Sequence, residues 1–166
     1  MELTDYLQRS AEHVHAMLDI AAQDLTDEVA HWRQGTANSI AALLAHMVTA
    51  EDFLINRHIL GNEPVLEAGG WASKTGIPAN RREIWNPDFR LNLDAFGGYR
   101  LAVQASAKAY FDSVTAADLD REVSWVWGEP QAAARWLQIV FFSHILGHCG
   151  EISAIKGIRG LKGLPF

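Results

Sequence analysis

Three histidines give this chain its clearest chemical potential: His46, His144 and His148. A neutral imidazole offers one basic nitrogen, and several such nitrogens aimed at one point can hold a divalent metal ion. His144 and His148 stand four residues apart. On a helix with 3.6 residues per turn they share one face, about 6 Å apart along the axis. They interrupt an apolar stripe between Phe141 and Ile152, so both should point inward. His46 sits among Leu43, Met47, Ala50 and Leu54 on the inward side of another segment. Three nitrogen ligands from two inward faces leave a coordination position for water or substrate, an arrangement of the catalytic type. The spacing is equally compatible with a metal that only staples a binding protein, and with interior histidines satisfied by hydrogen bonds.

The remaining candidates fall away by geometry. His58 lies twelve residues beyond His46, which on a continuous helix is roughly 18 Å further and about 120° around. It cannot share the same ion. His13 and His15 flank the core position Val14 and should face outward or toward a seam, and His31 lies in a connection. Glu151, three residues after His148, either orients that ring or is an ordinary solvated acid. Glu51 and Asp52 are expected at the surface. Cys149 is about 100° around the helix from His148 and reads as a small buried hydrophobe. No phosphate-cradling, dinucleotide-binding, Cys-x-x-Cys or Gly-x-Ser-x-Gly motif is present.

The elements that must position these histidines read as helices. Leu7, Ala11, Val14, Leu18, Ala21 and Leu25 recur every three or four residues, predicting a helix over 3–25. The second is expected from the cap Asn38-Ser39 to about Leu60, stopped by Gly61. Residues 61–86 read as a long loop with room for a helical turn, of the kind that is usually functional or mobile. Asn86-Pro87-Asp88 predicts the start of a third helix with Phe89, Leu93, Phe96, Leu101, Val103, Ala107, Tyr110 and Val114 on its apolar side. Gly97-Gly98 offers close packing or a bend. Residues 122–130 alternate in part and suit a short hairpin or an extended crossover. A fourth helix is expected from Gln131 to Lys156, before an irregular tail. Four long helices and little strand signal an all-α bundle in one domain over 1–166. The tryptophans Trp71, Trp85, Trp125 and Trp127 are candidates to wall a pocket, although tryptophan in a bundle more often belongs to the core or a dimer interface.

Composition excludes several classes. With 166 residues, 49% of them hydrophobic and 20% charged, the chain can enclose a core without disulfides. A net charge of −6 and scattered basic residues, Arg81-Arg82 being the one adjacent pair, disfavour nucleic acid as a partner. No apolar run approaches the ~20 residues of a membrane span. The absence of a secretion-like leader and the single cysteine make a cytoplasmic location the expectation.

Two segments carry a family resemblance. Asn38-Ser39-Ile40-x-x-Leu43-Leu44-x-His46-Met47 resembles the second-helix motif of the DinB-like superfamily, and His144-Ile145-Leu146-Gly147-His148-Cys149-Gly150-Glu151-Ile152 resembles its last-helix motif. The run from Lys156 to Gly160 is similar to the usual ending. The resemblance implies an up-down-down-up four-helix bundle with long crossover connections, often a homodimer. It implies His46, His144 and His148 as ligands of zinc or nickel, with iron, manganese or cobalt as further candidates. Some relatives are transferases or isomerases using bacillithiol, mycothiol or glutathione, which would make a small-molecule thiol and an electrophilic substrate the partners here. A non-catalytic, metal-stabilised dimeric binding protein is the alternative.

Overall fold

A computed structural model describes residues 2–126 and 128–164. Helix α1 (Leu3–Ala21) buries Leu7, Ala11, Val14, Met17, Leu18 and Ala21. It ends four residues before the expected Leu25 because Asp24 takes a left-handed conformation (φ 54°). The chain then makes a short α2 (Asp27–His31), capped by the Thr26 side chain. Here His31 has a structural task. Its Nε2 accepts the Leu91 backbone N–H at 2.9 Å, so its Nδ1 carries the proton and donates to the Asp27 carbonyl at 2.8 Å.

Helix α3 (Ile40–Asp52) starts as expected, with the Ser39 hydroxyl accepting from the Ala42 N–H. It continues as a π-helical segment, Phe53–Ile59, and stops at Gly61, whose φ of 71° is in the left-handed region that glycine tolerates. The expected long loop is instead folded into small pieces: α4 (Val65–Ala68), α5 (Trp71–Thr75) and a 3₁₀ turn, Arg81–Trp85. Trp71 lies across Gly98, where an added Cβ would fall 2.9 Å from the indole.

Helix α6 (Leu93–Ser113) begins seven residues later than the Asn86 signal. Asn86 closes a separate turn, accepting from the N–H groups of Asp88 and Phe89. The next backbone N–H groups are drawn away to His31 and to the Thr75 carbonyl, which holds the chain extended until Asn92 caps the helix. Leu101, expected in its core stripe, is exposed. Val114 is buried as expected but lies just past the helix end.

After α7 (Ala116–Asp120) comes a minimal hairpin, β1 (Glu122–Val123) antiparallel to β2 (Gln131–Ala132), with Glu122 opposite Ala132. The fourth bundle element follows as α8 (Ala133–Trp136), a π-helical segment Leu137–Ser143, and α9 (His144–Ile158). The hairpin takes Gln131, so the helix starts two residues later than expected. The main packing partners of α1 are α6 and α9, and α3 packs on the same two. The result is a four-helix bundle with α1 and α3 on one diagonal. Among the described residues no helix is long and apolar enough to cross a membrane.

Candidate metal centre

The region of α3 around the first histidine is apolar on every side. Ile40 to Ala45, Met47 and Val48 are all buried, so any polar residue inserted here must be accommodated inside the molecule. His46 is such an insertion. The other two stand on α9, which Ile145, Cys149 and Ile152 seat in the core. The fold brings His46, His144 and His148 together, with one nitrogen of each within 4.8 Å of the others. His46 Nε2 and His144 Nε2 lie 2.8 Å apart, and the three ring centroids are separated by 4.5 to 5.3 Å.

Proton accounting shows how well this set suits a cation. A neutral imidazole has one N–H and one lone pair. Nδ1 of His148 donates to Glu151 at 2.9 Å, leaving Nε2 as its basic atom. His144 Nδ1 is buried and completes no hydrogen bond, although the Val140 carbonyl one turn earlier pulls on its proton. Between His46 and His144, a direct Nε2–Nε2 hydrogen bond would use only one of the two lone pairs. Burial, then the neighbouring His144 and His148, lowers the His46 pKa from 6.5 to about 3. Burial, then His148, lowers that of His144 to about 4, against a smaller opposing pull from Val140 and Glu151. Both rings are therefore neutral near pH 7, the form a metal requires. The residues fit one divalent ion.

A cavity of about 420 Å³ opens beside the cluster. His46 and His144 form part of its wall, with Phe53, Arg81, Trp85, Trp125 and Val140 among the other lining residues. Trp85 packs on His46 with ring centroids 4.7 Å apart. Two of the four expected pocket tryptophans thus line it. Trp71 packs on α6 instead, and Trp127 lies outside the described residues. His58 is outside the cluster, set edge-on to Trp125 at 4.7 Å. Cys149 is fully buried and its thiol pKa is pushed up to about 11 by that burial, which leaves it inert.

Two acids depart from expectation. Glu51 and Asp52 are completely buried, not exposed. Glu51 meets His15 Nε2 at 2.8 Å, which turns that histidine into the bundle. Asp52 gathers four donors: Asn56 Nδ2, the Val65 and Leu66 N–H groups, and the Tyr99 hydroxyl, each at 2.8 Å. The signal that could have found both is the all-round apolar helix in which they sit. Arg81 is also missed by sequence reasoning as a pocket residue, because nothing in a loop-like sequence fixes its direction.

Comparison with known proteins agrees with this architecture. The DinB superfamily model matches residues 10–152. The chain belongs to the DinB superfamily. A crystal structure titled as the conserved protein of locus from Enterococcus faecalis superposes with a TM-score of 0.76, covering 96% of this chain and 99% of that one. At 16% identity that likeness establishes the fold alone. No curated protein sequence matches significantly.

Proposed function

We propose that this DinB-superfamily protein is a divalent-metal-dependent enzyme acting on a small-molecule thiol and an electrophilic substrate, with His46, His144 and His148 as the ligands. One observation carries the reading: three imidazoles converge, and two of them, His46 and His144, are kept neutral by burial and line a cavity of about 420 Å³. Nitrogen donors suit zinc or nickel, and accept iron, manganese or cobalt. When bound, such an ion supplies Lewis acidity that favours the anionic form of a thiol.

The chain's own residues do the rest. Glu151 fixes the tautomer of His148. Trp85 holds the His46 ring and keeps water from one side of it. Ile139, Val140 and Trp125 offer apolar surface to the body of the electrophile. The Thr49 hydroxyl is already donated to the Ala45 carbonyl. No carboxylate lines the cavity among the described residues, so a thiol proton must leave to solvent through the open mouth. The three-histidine group has no fourth His, Cys, Asp or Glu member among the described residues, which favours an open coordination position over a closed structural site.

The homodimer implied by the family likeness has a candidate face on α1, the π-helical segment Leu137–Ser143 and the start of α9. Exposed Leu3, Tyr6 and Leu146 rim a groove of about 750 Å³ there. Light scattering should give twice the 18.4 kDa chain mass.

The central test is elemental analysis of protein purified without an affinity tag. About one divalent ion per chain is expected, as is turnover of monochlorobimane with one member of a thiol panel. Protein that is metal-free and refuses added zinc and nickel removes the site, and metal held by four protein ligands removes the catalytic reading.

A further inference from the structure

The 3₁₀ turn that presents Trp85 to His46 opens with Arg81. Both residues face the same cavity, so one short element supplies a wall for the candidate ligand and a cation beside it. The Arg81 guanidinium lies 3.6 Å over the Phe53 ring. It is half-buried, and among the described residues it forms no ion pair. The acids that feel its charge are committed elsewhere. Glu67 is bonded to Arg57 at 2.5 Å, and Asp52 is saturated by its four donors. Arg57 stands over the same Phe53 ring at 4.6 Å and adds a like charge nearby. Burial lowers the Arg81 pKa from its usual value, and Arg57 lowers it further, so the charge is held at a cost. Arg82 also lines the cavity, and no acidic side chain does so among the described residues.

We infer that Arg81 is the anchor of an oxyanion subsite, and that the small molecule bound in this cavity carries a carboxylate or phosphate group on an apolar body. A guanidinium presents a flat fork of donors that matches either group with two parallel hydrogen bonds. Stacking on Phe53 fixes the plane of that fork before any ligand arrives, which reduces the ordering needed on binding. The apolar part of the ligand meets Trp85, Trp125, Ile139 and Val140. As a statement about the enzyme's substrate the inference rests on the function proposed above. The subsite itself needs no metal.

The test is equilibrium binding, by calorimetry and by the fluorescence of the lining tryptophans, on metal-free and zinc-treated protein. The probes are 3-phenylpropionate, its neutral amide, and phenylphosphonate. At least one anion should bind about tenfold or more tightly than the amide, the size expected for a charge-assisted hydrogen bond. Which anion wins identifies the group. Arg81→Gln should reduce the preference to within about twofold, Arg81→Lys should restore part of it, and the distant Arg90→Gln should leave it intact. Helical circular dichroism and thermal midpoint verify that each variant is folded. An Arg81-dependent preference in protein that takes up no zinc would sustain the subsite while removing the metal reading. Zinc uptake with no anion preference, or with a preference that survives Arg81→Gln, overturns the subsite alone.

Discussion

Among the polar intrusions on helix α3, His46 and Asp52 stand six residues apart, and the chain treats them in opposite ways. Asp52 is sealed. Each of its oxygens receives two donors, from its own helix, from the start of α4 and from α6. The Tyr99 phenol that serves it is kept protonated, its pKa raised well above the usual value by burial and by Asp52 itself. His46 faces a second imidazole across 2.8 Å and a cavity beyond. Its neighbours offer lone pairs where Asp52's neighbours offer hydrogens. A buried polar group that its own chain fully satisfies is architecture, whereas a group left with surplus lone pairs is free to take a ligand.

This contrast breaks most visibly at Asp52. Asp52→Ala strands four donors in the interior and should destabilise the fold by about 3 to 5 kcal/mol in urea denaturation, with metal content unchanged in whatever remains folded. A loss under about 1 kcal/mol would mean that water satisfies those donors, and the sealed half of the contrast would fail. At the other end, saturating zinc should stabilise the native protein by about 2.7 kcal/mol at a hundred times its dissociation constant. His46→Ala and His148→Ala should abolish that gain and most of the bound metal while keeping helical circular dichroism. A gain that survives either change takes that residue out of the ligand set.

Glu151→Gln gives a finer probe. It keeps the shape beside His148 but not the charge, so zinc affinity should fall about tenfold, or about 1.4 kcal/mol, by competition with a chelating dye. Unchanged affinity would make Glu151 a bystander. A slope with pH tests the burial of the pair itself. His46 and His144 have pKa values of about 3 and 4 in the folded protein, against an ordinary histidine value of 6.5. The unfolded chain therefore takes up their protons first as pH falls. Metal-free protein should be fully stable with respect to these groups above pH 6.5 and should lose stability progressively from 6.5 toward 4. The loss is at most about 1.4 kcal/mol per pH unit for each group. A thermal midpoint that is flat over that window would contradict the buried, neutral state of the pair.

The histidine cluster and the bundle were legible in the sequence because both depend on helical period and caps. Ser39, Gly61 and the stripe on α1 behave as local rules require. What escaped were features settled by distant partners. Asn86-Pro87-Asp88 has every mark of a helix start, yet the backbone beyond it is captured by His31 and by the Thr75 carbonyl. Glu51 and Asp52 look like surface acids until α1, α4 and α6 close over them. Arg81 sits in a stretch without period, so only the packing of its turn on Phe53 and His46 gives it a direction.

The π-helical segment Leu137–Ser143 also works as a gear. It joins two things with separate anchors. Ahead of it, the Trp136 indole N–H is tied to the Val123 carbonyl and steadies the hairpin that brings Trp125 to the cavity. Behind it, Ile145, Cys149 and Ile152 lock the histidine-bearing α9 into the core. A chain one residue shorter here would rewind this stretch toward an ordinary α-helix, turning one side against the other by about 100°. With α9 fixed by its core residues, the hairpin would be the side to swing. A single insertion or deletion in this stretch would therefore reshape the mouth of the cavity while the three imidazoles keep their places.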